Sequence, residues 1–448
     1  MALAQNGQPS HVPDVGCCPR CHPKLTGLRA GPGGGCCYNR LVIKRIPTAD
    51  LKLGMFVHDL NCGWLDHSFL RNSFMLRKEA DLEKIVQSGI LEVYIDTFKG
   101  IDCLDAPTDA EVQEELAARI RSQAAAARPA ASRATYAEEL GCARKILEEA
   151  SQVIHAVLGD VRLGRQIQVE RVHPVVSRIT ESILRNQGTL VSLCRIRQGD
   201  TYTFQHSVSV CALLATFCRA LGMDPETIHE AGMGGMLHDL GKMRVPDHIL
   251  NKPGKLTEAE FAVMKDHVNL GVEVLRRTPG ISRTVLQVAE EHHERFEGTG
   301  YPRHEKGEEI SQLGRMAAIV DVYDAITSNR IYHKGMEPSA ALTRLYEWSD
   351  RHFDPDLVQR FIQAIGIYPV GSLVRLDSGR LAVVAEQGSQ GLLVPLVRVV
   401  HDPRLARQVR PYDLDLSNPA SGGDSIVDQE DPGAWGINPY DCLLLESF

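Results

Sequence analysis

The sequence predicts a multidomain chain: an all-α helical domain preceded by a small α+β domain and followed by a short β-rich extension. Three observations predict this. At 448 residues the chain exceeds the roughly 250 to 300 residues at which a single core stops growing. Between about Val169 and Gly366 nearly every segment carries amphipathic helical spacing, with brief Gly or Pro punctuation. On either side the texture turns to β-formers, in RLVIKRI and LEVYID before it and in SLVRLDSGRLAVVAEQGSQGLLVPLVRVV after it, where DSG and GSQG are turn signals.

Residues 1–40, rich in Gly, Pro and Cys, read as a disordered leader. Its Cys17, Cys18, Cys21, His22, Cys36 and Cys37 offer enough donors for a small zinc knuckle, although the second cysteine pair is adjacent and has no two-residue spacer. Residues 41–105 form the small α+β module, with RKEADLEKIVQSG as its helix, ending on Gly89. Residues 106–168 read as a helical linker broken at Pro129, with TYAEELGCARKILEEASQVIHAVLG as its second helix. Residues 169–366 are the helical domain. Residues 367–448 are the β-rich extension, with a poorly ordered stretch over the last thirty-odd positions.

Composition narrows the function. With 49 Lys and Arg against 57 Asp and Glu, the net charge is -8, which argues against a duplex nucleic-acid binder and leaves room for a small anionic ligand met by a few local cations. No apolar stretch reaches the roughly 18 residues of a membrane helix, and the first residues lack a basic start and an apolar core. The expectation is a cytoplasmic protein, in keeping with seven cysteines scattered singly beyond the leader.

The chemistry concentrates in the helical domain. His206 lies on an apolar stripe with Val210, Leu213, Leu214, Phe217 and Leu221. His238 and Asp239 follow Gly232, Gly234 and Gly235, glycines that each cost about 1 kcal/mol in a helix interior and so point to close approach of a neighbouring helix. His267 stands on the core side of its segment, His292 and His293 end the run RTVLQVAEEHH, and Asp321 interrupts the apolar stretch MAAIVDVYDAI, where a carboxylate is costly unless it binds something. Singly, each reads more simply as a hydrogen-bonded core residue. Together, five imidazoles and two carboxylates on five consecutive segments exceed the needs of one tetrahedral zinc and suit two octahedral-leaning ions bridged by a carboxylate, for which Asp239 is the candidate.

The order of these residues, with HDLGK at 238–242, the loop ERFEGTGYP ending at Gly300, Tyr301 and Pro302, and DVYDAITSNRIY from Asp321, resembles the HD-GYP family of the HD phosphohydrolase superfamily over about 200 residues. The resemblance implies that His206, His238, Asp239, His267, His292, His293 and Asp321 are metal ligands. Some members carry a glutamate four residues before the first histidine that recruits a third metal. Here that position is Tyr202, so two metals, iron or manganese, are expected.

The implied substrate is cyclic di-GMP, cut to the linear dinucleotide and then to GMP. Two cations about 3.5 to 4 Å apart can activate water against a phosphodiester. Lys242 would neutralise a phosphate oxygen, and Arg330 would clamp the second phosphate, unless both are simply solvated helix-end cations. Tyr301 offers a ring to stack on guanine or to anchor its loop, and the loop is tied by the resemblance to signalling partners. The sequence has RIY at 330–332 where the family usually has RPY, a local change.

KRIPTADLKLGMFVHDLN is similar to a module of unknown function that often precedes such domains, with a sensory or homodimerising role as hypothesis. Two other readings stand beside this one. They are an HD-type hydrolase of another nucleotide, and a regulatory receptor with a vestigial site, which would be free to lose the ligands retained here.

Overall fold

The computed structural model of the chain describes residues 42–61, 73–124, 132–195, 202–328, 335–349, 351–388, 390–405, 407–419 and 422–444. The cysteine-rich leader with its knuckle residues and Arg330 lie outside the described residues.

The front module is a four-stranded antiparallel sheet of β1 (Ile43–Pro47), β2 (Phe56–Asp59), β3 (Phe74–Met75) and β4 (Glu92–Asp96), in the order β1-β4-β2-β3, with one helix, α1 (Glu79–Gln87). Central β4 carries the apolar run, and its Val93 and Ile95 join Ile46, Val57 and Ile85 in a core closed to solvent. α1 stops where sequence places its end, because Gly89 takes φ +73°, a conformation that costs a residue with a Cβ.

The helical body runs through α2 (Asp109–Ala124), α3 (Tyr136–Arg162), α4 (Val169–Arg185), α5 (Gln187–Arg195), α6 (Tyr202–Ala220), α7 (Pro225–Leu237), α8 (Asp247–Leu250) and α9 (Glu258–Lys265). It continues with α10 (His267–Arg276), α11 (Arg283–Glu291), α12 (Gln312–Thr327), α13 (Pro338–Glu347) and α14 (Pro355–Ile365). Local chemistry sets several starts. Thr135 and Glu138 form a reciprocal capping box on α3, and Asp224 caps α7 with Pro225 as its first residue.

The stretch expected to be a linker is part of this body. Ala143, Ile146, Ala150 and Ile154 of α3 are buried in the same core as Leu213, Leu214 and Phe217 of α6. Their spacing of three and four residues is a core-facing stripe, so the second helix of the expected linker packs in this core, while Pro129 lies outside the described residues.

The extension is an antiparallel sheet of β5 (Leu373–Leu376), β6 (Leu381–Glu386), β7 (Leu396–Asp402), β8 (Arg407–Asp415) and β9 (Ile426–Gln429), in the order β8-β7-β6-β5-β9. The tail expected to be poorly ordered supplies an edge strand, β9, paired with β5, then α15 (Pro432–Trp435) and α16 (Pro439–Leu444). Ile437 and Leu443 bury themselves against Leu373, Leu381 and Val383. Two apolar anchors among short polar segments hold it, too few to show as a period.

The front module meets the helical body through a polar clamp at the end of α13. Arg344 reaches Asn61 Oδ1 at 2.9 Å, Asp59 Oδ2 at 3.2 Å and Glu347 Oε2 at 3.0 Å, while Tyr94 donates its hydroxyl to Glu347 Oε1 at 2.5 Å. Burial, followed by the Glu347 carboxylate, pushes the Tyr94 phenol well up. Glu347 is almost closed to solvent, with 1% side-chain exposure, so it depends on these partners. Arg344→Ala is expected to destabilise the fold by about 3 kcal/mol, because removing one member strands a buried charge. Urea unfolding with proteolysis of the front module checks this, and an unchanged midpoint would count against the clamp.

Candidate metal centre

Each expected ligand stands where helices come closest. A Cβ on Gly235 would lie 3.0 Å from the backbone N and Cα of Cys211, so glycine lets α7 press on α6 and brings His238 towards His206, their ring centroids 5.2 Å apart. The chain leaves α7 at His238 and Asp239 and tightens into a 3₁₀ turn, Leu240–Arg244. Gly241 in that turn packs on the backbone of His267 and Gly271, which sets the start of α10 beside Asp239. His292 caps α11, and α12 crosses the group carrying Asp321.

The seven side chains converge, all of them buried. Asp239 is common to two sets of donor atoms, His206–His238–Asp239 and Asp239–His267–His292–His293, each lying within 4.8 Å of one another. In the first set His206 Nε2 and His238 Nε2 lie 3.6 and 3.3 Å from Asp239 Oδ2. In the second His267 Nε2 and His292 Nε2 lie 3.4 and 3.9 Å from Asp239 Oδ1. Asp321 Oδ1 stands 3.0 Å from His206 Nε2 and 3.7 Å from His238 Nε2, and Asp321 Oδ2 is 4.0 Å from His293 Nδ1.

Hydrogen bonds behind the rings set their orientation. Nδ1 of His238, His267 and His292 contacts the carbonyls of Gly235, Met264 and Ala289 at 2.8, 2.8 and 3.0 Å. Each Nδ1 therefore carries the proton and donates it, and Nε2 turns a lone pair inward. Those three Nε2 atoms and Asp239 Oδ1 are buried with no hydrogen-bond partner. Buried polar atoms are rarely left so. Lone pairs and carboxylates all aimed at one space fit a divalent cation.

Electrostatics points the same way. Burial would strip His238 of a proton, but Asp239 and Asp321 outweigh it and hold the pKa up to about 10. Burial and then His238 push His292 down to about 3, and burial with His292 pushes His293 well below the usual range. Burial would raise both carboxyls, yet Lys242 and His238 hold Asp239, and His206 and His238 hold Asp321, well below the ordinary range. Both carboxylates thus stay ionised and keep negative charge in the space that the inward nitrogens face.

Lys242 Nζ lies 2.6 Å from Asp239 Oδ2 with its side chain 27% exposed, at the border between the group and solvent. Tyr301 donates its backbone N–H to the His293 carbonyl at 3.1 Å, and its ring stacks on the His293 ring at 4.7 Å. Glu294 fastens the same loop, accepting the N–H groups of Arg303 and Glu305 at 2.7 and 3.1 Å.

Sequence reasoning missed Asp324. It is buried one turn after Asp321, accepts Nδ1–H of His206 at 2.7 Å, and takes the Ser209 hydroxyl as well. Among the donors described, His206 is the one backed by a carboxylate, which makes its inward nitrogen a stronger donor. The D-x-x-D spacing, placing two acids on one face of an apolar helix, was the available signal. Asp324→Asn is expected to weaken metal affinity about 10- to 100-fold, read by metal titration against a chelator; an unchanged affinity would remove Asp324 from the centre.

Helices that bring an HD pair and five further histidines or acids around one buried space define an HD-domain protein, a class whose site takes divalent metal. Residues 194–357 match the HD domain model, and residues 43–172 match a domain of unknown function, DUF3391. A cyclic di-GMP phosphodiesterase of Pseudomonas aeruginosa is 42% identical over 401 residues, 89% of this chain and 95% of that protein. The chain belongs to the HD-GYP family.

Two further relatives align over less. A cyclic di-GMP phosphodiesterase response regulator of Xanthomonas campestris pv. campestris is 39% identical, over 40% of this chain and 48% of its own length. A 3'3'-cGAMP-specific phosphodiesterase of Vibrio cholerae is 42% identical, over 28% of this chain and 24% of its own length. No helix among the described residues is long and apolar enough to cross a membrane.

Proposed function

We propose that this chain hydrolyses cyclic di-GMP at two divalent ions, one held by His206, His238, Asp239 and Asp321, the other by Asp239, His267, His292 and His293. The observation that carries this is the shared carboxylate: two donor sets meet on Asp239, which one ion would not require. Imidazole and carboxylate donors, with no thiolate in either set, suit iron or manganese.

Bound there, such a pair supplies water of lowered pKa and a hold on the attacking and leaving oxygens of a phosphodiester. The chain's own residues do the rest. Lys242, kept at the border by Asp239, places positive charge where a phosphate oxygen gains negative charge. Arg330 supplies a two-pronged hold on the second phosphate. Tyr301 fixes the His293 ring and the loop beside it. The two phosphodiester bonds of cyclic di-GMP are chemically alike, so one centre opens the ring and then cuts the linear dinucleotide to GMP.

Cyclic di-GMP is preferred over 3'3'-cGAMP because the relative that aligns along nearly its whole length acts on the former. The test is anaerobic incubation of Fe(II)- or Mn(II)-loaded protein with each dinucleotide, products resolved by chromatography. Linear dinucleotide followed by GMP is expected from cyclic di-GMP. Turnover of 3'3'-cGAMP alone would overturn the substrate, and tight binding without turnover at full metal occupancy would make the chain a receptor.

A further inference from the structure

A second group of metal-ligating side chains lies outside the centre. His173 on α4 and His229 and Glu230 on α7 each offer a donor atom within 4.8 Å of the others, all three only partly buried. Packing brings them together. Gly232 lets α7 approach α4, since a Cβ there would meet Val176 Cγ1 at 3.1 Å. One turn earlier on each helix the two histidines face each other, His173 Nδ1 lying 2.9 Å from His229 Nε2. Glu230 is held by the Ser282 hydroxyl at the start of α11, so three helices converge on the spot.

We propose that His173, His229 and Glu230 form a separate binding site for one borderline divalent cation of the zinc class, its remaining position open to water. Two imidazoles and a carboxylate are the donor types such an ion takes. Nitrogens about 2.0 to 2.1 Å from a tetrahedral zinc ion stand about 3.3 to 3.4 Å apart, so the pair found at 2.9 Å opens by only about 0.4 to 0.5 Å to admit one. Without an ion the rings, 8° from coplanar, meet end to end and share one proton. The cation replaces that proton, and each ring reaches it by rotating about its soft terminal torsion. Burial and then His173 push His229 below its ordinary pKa, so its neutral ligand form is available near neutrality. Glu230 keeps acceptor capacity beyond the one hydroxyl, because a carboxylate has about four lone-pair sites.

The site joins α4 to the helix that ends on His238 and Asp239, yet touches neither residue, so occupancy and catalysis are separable. The experiment measures zinc bound per chain by full-length protein at buffered micromolar free zinc, alongside His173→Gln, His229→Gln and Asp239→Ala. The wild type is expected to hold one equivalent more than either glutamine variant, both of which keep hydrolysing cyclic di-GMP. Asp239→Ala keeps this equivalent while losing those of the main centre. Zinc is also expected to raise the melting temperature of Asp239→Ala, by linkage, and adding His229→Gln removes the rise. Equal zinc in wild type and both glutamine variants would overturn the site and leave a hydrogen-bonded histidine pair. Loss of the extra equivalent in Asp239→Ala alone would assign that ion to the main centre.

Discussion

Asp239→Asn is expected to lose both ions and the hydrolysis of cyclic di-GMP together. The substitution keeps the size of the side chain and removes its charge. Asp239 is the one residue common to both donor sets, with Oδ2 facing His206 and His238 and Oδ1 facing His267 and His292. An amide turns one of these acceptors into a donor, aimed at lone pairs that already need a cation. It also strands Lys242, whose Nζ sits 2.6 Å from Oδ2.

A metal pair supplies several kcal/mol of transition-state stabilisation, and each factor of ten is about 1.4 kcal/mol, so a loss of about 10³-fold or more follows. Metal content read by elemental analysis is the sharper measurement. His267→Ala, which lies in one set, is the comparator and is expected to retain the ion of the other. With His229→Gln added to empty the separate site, retention of one full equivalent in Asp239→Asn would show that Asp239 does not join the two sets.

What was legible in the sequence, and what was not, follows one physical rule. A ligand is visible where it breaks a pattern. His206 stands out on a stripe that continues through Val210, Leu213 and Phe217, and Asp321 stands out in an apolar run, because their cost is plain without knowing the neighbours. The glycines before His238 were legible for the same reason, and they serve as expected, Gly235 admitting the backbone of α6.

Partners that depend on distant chain were not legible. Asp324 looks like an ordinary acid near a helix end until Ser209 and His206 arrive from α6. The Asn61–Glu347 contact joins residues 286 apart in the chain, and nothing local announces either member. The helix α3 was misplaced for the opposite reason. Its stripe was visible, but periodicity tells which face is buried and not against what.

Gly241→Ala is expected to be the most destabilising small substitution in the helical body, at about 3 kcal/mol or more. An added Cβ would sit 1.8 Å from the His267 carbonyl oxygen, 2.4 Å from the Gly271 nitrogen and 2.8 Å from the His267 carbonyl carbon. All three are backbone atoms, so no side chain can swing aside. The turn or the start of α10 must move, and that start carries His267 while the turn carries Asp239. Stability and metal binding should therefore fall together, with a lowered urea midpoint in apo protein and weakened metal affinity under native conditions.

Gly159→Ala supplies the contrast. Gly159 lies inside α3 with nothing within 4 Å of an added Cβ, and alanine there is expected to stabilise by about 0.5 to 1 kcal/mol through helix propensity. One methyl group thus changes sign with its surroundings, and equal effects at the two positions would refute the close approach on which the placement of His267 beside Asp239 depends.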